Sequence, residues 1–113
     1  MSYEIPNITR LEYGKQFVVI HEITPLFELY GIKQFRVAYH ITDYELKDLA
    51  GNPLKTPIAW LFISEPEIKP EERIGKTPEQ IKKLWSDKFI ENLRSELEKA
   101  IKVYRLNREV FRA

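Results

Sequence analysis

The stretch IKQFRVAYHITDYEL, residues 32–46, is the longest run of alternating character in the chain. Phe35, Val37, Tyr39 and Ile41 fall on one side of an extended backbone; Gln34, Arg36, Ala38 and His40 fall on the other. Successive side chains of a strand point to opposite faces, so this period of two predicts a β-strand with one face against a core. The rest of the chain must supply the other half of that core.

Working back toward the N-terminus, ITRLEYGKQFVVIHEI (residues 8–23) reads as a hairpin. Extended runs over about 8–13 and 16–23 meet at Gly14-Lys15, where glycine supplies the positive φ of a tight turn. Alternation groups Phe17, Val19, His21 and Ile23 on one face of the second run, against Gln16, Val18, Ile20 and Glu22. Both groups are partly apolar, which predicts a strand that is central or covered on both sides. His21 is then expected to face the core as a hydrogen-bonded structural histidine. TPLFELYG (24–31) carries helix signals: Thr24 as cap, Pro25 at the first helical position and Gly31 just past the end. A short helix over 25–30 is expected there.

Working forward, Gly51-Asn52-Pro53 marks a turn, and TPIAWLFIS (56–64) returns as a strand. Ile58, Trp60 and Phe62 oppose Ala59, Leu61 and Ile63, so this strand is apolar on both faces. Residues 65–76 form a Pro-rich, charged connector. Thr77 and Gln80 then bracket Pro78 in a capping box, which predicts a C-terminal amphipathic helix over 77–111. Its stripe of Trp85, Phe89, Leu93, Leu97, Ala100 and Tyr104, with Ile90 and Ile101 at the margin, is the missing half of the core. The expectation is one α+β domain over 1–113. In it a sheet region (8–64) of four mostly antiparallel strands, with a short helix after the second strand, is covered by the long C-terminal helix.

The end of that helix carries a second signal. Val103, Leu106 and Val110 lie off the core stripe, roughly 100° around the helix, and Phe111 follows them. A helix of that length reaches about 50 Å at 1.5 Å per residue, whereas strands of eight or nine residues reach only about 30 Å. The helix is therefore expected to break near Asn107 or to project past its sheet. A projecting apolar seam of Val103, Leu106, Val110 and Phe111 suits a second copy, and a homodimer is the expected partner state.

Charge gives the alternative. The chain is nearly neutral at +1, yet Lys99, Lys102, Arg105, Arg108 and Arg112 face only Glu109 at its end. Part of that excess suits the helix dipole, and the remainder suits phosphates, making a nucleic-acid-associated protein the second expectation.

Chemistry is thinly represented. There is no cysteine and there are two histidines, His21 and His40. His40 with Asp43 and Glu45 nearby is the one candidate for acid–base or metal chemistry, and alternation sends His40 and Asp43 to opposite faces. No glycine-rich phosphate loop or H-E-x-x-H occurs. The expectation is a non-catalytic protein with no metal, cofactor, small-molecule ligand or membrane association. Neither a signal-peptide pattern nor a spanning apolar run is present, so a cytoplasmic location is expected. Abundant Lys, Glu and Ile beside few Asn and Gln fit a thermophile, in the manner of archaeal or archaeal-virus proteins.

Overall fold

The computed structural model describes residues 3–112, with side chains through Arg108. The elements are β1 (Arg10–Tyr13), β2 (Gln16–Leu29), β3 (Ile32–Lys47), β4 (Pro53–Lys55), β5 (Ala59–Ser64), α1 (Pro70–Arg73) and α2 (Pro78–Arg112). All strand pairings are antiparallel. β1 pairs with β2 and β2 with β3; the far side of β3 is shared between β4 and β5. The α+β architecture expected from the pattern is the one observed, with a fifth strand added. β4 escapes a sequence reading because three residues beginning with Pro53 present no alternation.

The alternation in β3 holds from Phe35 to Ile41. Phe35, Val37, Tyr39 and Ile41 are buried against α2, which contributes Trp85, Phe89, Leu93, Leu97 and Ile101. Phe35 meets Phe89 edge-on at 5.1 Å between ring centroids, an arrangement favoured by the ring quadrupoles. Ile101, expected at the margin of the stripe, is central and 1 % exposed. The capping box forms as the sequence implies. The Gln80 amide donates to Thr77 Oγ1 at 3.2 Å, and the Thr77 amide donates to Gln80 Oε1 at 2.9 Å.

Residues 25–30 are not a helix. Residues 25–29 continue β2 and Tyr30 enters the turn, and the short helix of the fold lies instead at Pro70–Arg73. Thr24, Pro25 and Gly31 are as compatible with a hairpin as with a helix. Pro25 sits at a ladder irregularity between Pro25 and Glu28, where a missing donor is tolerated. Tyr30 (φ 52°) and Gly31 (φ 78°) both adopt the left-handed region, as a two-residue turn between twisted strands requires.

A second irregularity, between Ile20 and Glu22, corrects the reading of β2. His21 is the extra residue there, and the insertion reverses the alternation. Val18 and Ile20 face the core and Ile23 packs against it, while Phe17, Val19 and His21 lie on the outer face. His21 is exposed and does not face the core.

The lengthened hairpin also resolves the mismatch between helix and sheet. Strands of 14 and 16 residues span about 46–53 Å at 3.3 Å per residue, comparable to α2 at about 52 Å. The helix neither breaks near Asn107 nor overhangs at Arg108, which still touches β3.

Candidate association surfaces

The sequence placed its candidate residues at the end of α2, and the fold divides them. Val103 and Leu106 point to solvent at 58 % and 64 % exposure. The side chains of Val110, Phe111 and Arg112 lie outside the described residues. Lys99 pairs with Glu96 at 3.0 Å and Lys102 with Glu98 at 3.6 Å, both exposed ion pairs along the helix.

Arg105 and Arg108 turn inward instead. Arg105 Nε donates to Gln16 Oε1 and its Nη2 to the Tyr13 carbonyl, both at 2.7 Å. The guanidinium crosses the β1–β2 turn 3.7 Å from where a Cβ on Gly14 would stand. Arg108 donates to Asp43 at 2.8 Å and lies 3.2 Å from Glu45.

Asp43 is the centre of this cluster. It continues the core-facing set of β3, is fully buried, and also accepts from Tyr104 (2.7 Å), Gln16 (3.1 Å) and the Glu45 amide (2.9 Å). Burial alone would raise its carboxyl pKa. Hydrogen bonds from Tyr104, the Glu45 amide, Arg108 and Gln16 outweigh that and hold it below the ordinary value. The Tyr104 phenol is pushed up to about 12, first by burial and then by its bond to Asp43. Sequence reasoning missed this clamp, although an acid at a core-facing position of β3 was a usable signal.

The histidines meet on the outer face. His21 Nε2 and His40 Nδ1 are 2.6 Å apart, so one ring donates and the other accepts. Desolvation first, then His21 and Lys55, lower the His40 pKa. Asp43 is on the opposite face, as alternation requires. Among the described residues, no three His, Asp or Glu side chains converge as a metal site would need. Nor is any described helix long and apolar enough to cross a membrane.

The remaining surface of note is β5 and the outer face beside it. Among the described residues β5 pairs with β3 alone, and no strand lies along its other edge. Trp60 and Phe62 stand on the outer face at 58 % and 65 % exposure, with Ala38 and Arg36 as their cross-strand neighbours. Ile58, just before the strand, is 49 % exposed. An open groove lined by Phe62, Ile63 and Ser64, by Glu65, Pro66 and Glu67 of the connector, and by Asn92, Ser95 and Glu96 of α2 lies beside the C-terminal half of the strand. Antiparallel sheets with one wet face normally carry polar residues there. Here two large aromatics are in water.

No family model, curated protein or solved structure matches this chain.

Proposed function

We propose that this chain is a non-catalytic interaction module that associates with a second copy of itself. The observation that supports this most is the exposure of Trp60 and Phe62 on an ordered strand. Apolar patches of this kind, contiguous and on rigid elements, mark association sites more often than isolated exposed residues do. The Val103–Leu106 seam on α2 is a further apolar surface with the same meaning. It is presented rigidly, because Tyr104, Arg105 and Arg108 anchor the intervening turns to the sheet.

Sedimentation velocity over a concentration series tests the reading, with rising mass expected. Leu106→Asp lowers the average mass if the helix seam contributes, and leaves it unchanged if the sheet carries the contact. A single monomeric species at every concentration contradicts self-association altogether.

Nucleic-acid association is the second reading, and one observation favours it. Arg36 shares the exposed outer face with Trp60 and Phe62, a combination on which unpaired bases stack. Of the basic set at the end of α2, Lys99 and Lys102 are the described members directed to solvent. Titration with a single-stranded oligonucleotide at low salt decides this reading; no binding there removes it.

A further inference from the structure

We infer that β5 is the self-association element, pairing edge to edge with β5 of a second copy, antiparallel about a two-fold axis at Leu61. This rests on the self-association reading and adds the strand, register and phase of the contact.

The hydrogen-bond phase of the sheet fixes which groups are free. The Glu65 amide donates to the Lys33 carbonyl at 2.8 Å, and the β3–β5 register continues that pair as Phe35 with Ile63, Val37 with Leu61 and Tyr39 with Ala59. In an antiparallel ladder, bonded and non-bonded pairs alternate. Ala59, Leu61 and Ile63 therefore bond to β3. Trp60, Phe62 and Ser64 direct both N–H and C=O away from it, to the free edge.

Only some registers of two such edges are allowed. Each outward-directed residue must meet another, so even-numbered positions must oppose even-numbered ones. The same condition keeps outer-face side chains opposite outer-face side chains. A two-fold axis at Leu61 satisfies it and opposes Trp60 of each copy with Phe62 of the other, giving two aromatic cross-strand pairs. An axis at Phe62 also satisfies the phase, but it leaves both Trp60 rings facing Ser64. The Leu61 axis uses all four rings.

The strand carries none of the usual guards against such pairing. AWLFIS contains no charge, no proline and no glycine, whereas natural free edges are normally blocked by Lys, Pro, a bulge or a covering loop. Beside the C-terminal half of the edge, a groove between residues 62–64 and α2, bounded also by Glu65, Pro66 and Glu67, leaves room for inner-face side chains of an incoming strand. Area sets the expected strength. At about 150–250 Å² per aromatic side chain, the exposed fractions of Trp60 and Phe62 amount to roughly 250 Å² per copy. A symmetric pair covers roughly 500 Å² of ring surface plus the strand backbone, short of the ~1,200–2,000 Å² of stable interfaces. A contact below that size is expected to be weak and reversible.

A single-stranded nucleic acid is the less favoured occupant. Arg10, Arg36 and Lys55 on the outer face are interleaved with Glu12 and Glu22, and a phosphate chain calls for a run of cations.

The test is amide hydrogen exchange on the whole chain at concentrations below and above the association midpoint. The Trp60, Phe62 and Ser64 amides are expected to gain at least about tenfold protection with concentration, while Leu61 and Ile63 stay protected throughout. Phe62→Pro removes an outward amide without touching the ladder to β3, and Phe62→Val keeps that amide. Phe62→Pro is expected to raise the dissociation constant at least about tenfold above that of Phe62→Val. Protection retained at Leu61 and Ile63 in both variants shows that β5 remains in place. Association that leaves the three amides unprotected overturns the β5 assignment and keeps the broader reading; so does equal association of the two variants. A chain monomeric at all concentrations overturns both. Protection at these amides only on adding oligonucleotide assigns the edge to nucleic acid instead.

Discussion

Two edge strands of the sheet, β1 and β5, are finished in opposite ways. On β1, the residues directed outward are Arg10 and Glu12, paired with each other at 2.6 Å. Arg10 also lies over the Phe17 ring at 3.6 Å and, with Tyr44, covers it, so an outer-face aromatic is only 9 % exposed. The end of that edge is tied to α2 by Arg105 and by Tyr13, whose hydroxyl donates to the Arg94 carbonyl at 2.7 Å. On β5, the equivalent positions are Trp60 and Phe62, with no charge in the strand to cover them. An edge strand is closed by charge and polar anchoring, or it is left open to another strand. This molecule does the first at β1 and the second at β5.

The largest expected effect breaks the closed side. Asp43→Ala leaves Arg108 and Tyr104 without their shared acceptor, and loss of one partner of a buried ion pair costs about 3–5 kcal/mol. Urea unfolding measures it, and a loss under about 1 kcal/mol would show that the clamp is ornamental. Leu61→Pro comes next on the open side. It deletes an amide that bonds to β3 and leaves the Val37 carbonyl without its donor, with about 1–3 kcal/mol expected. Phe62→Pro, one residue on, is expected to change stability by far less, and equal losses would refute the assigned hydrogen-bond phase. Tyr104→Phe removes one hydrogen bond to a charged acceptor, about 1.5–3 kcal/mol, and it should leave native mass unaltered.

The pH dependence is smaller and has a definite sign. The His40 pKa is lowered in the folded chain, so the unfolded chain takes up a proton more readily and stability falls as pH drops below the ordinary histidine value near 6.5. Asp43 is likewise lowered. Its contribution is present in full above the ordinary carboxyl value and is lost progressively as pH falls from there through the lower folded value. Urea midpoints should decline from pH 7 to 5 and again below 4; a rise over the first interval contradicts the His21–His40 geometry. Lys102→Ala, removing an exposed pair, is expected to stay within about 0.5 kcal/mol of the parent.

The parts of this fold legible in the sequence were those with a long, uninterrupted period. The α2 stripe repeats over many turns behind a capping box, and β3 alternates without interruption from Phe35 to Ile41. Breaks in the period were not legible. A single inserted residue at His21 reversed the faces of β2, and the Thr24, Pro25 and Gly31 signals fit helix and hairpin equally well. That ambiguity hid a long hairpin, and a sheet judged too short made the end of α2 look overhung. Arg105 and Arg108 were consequently read as surface charge. Their acceptors, Gln16, Tyr13 and Asp43, lie more than sixty residues away in sequence. The apolar character of both faces of β5 was visible, but its place at an edge depends on which strands pair.

The most direct test copies the guard of β1 onto β5. Native mass by light scattering is compared for the parent chain and for Trp60→Arg/Phe62→Glu. The parent is predicted to rise with concentration from 13.5 kDa toward twice that value, while the guarded variant stays at the monomer mass and unfolds at the same urea concentration. A parent that remains monomeric, or a guarded variant that associates as the parent does, would contradict the account.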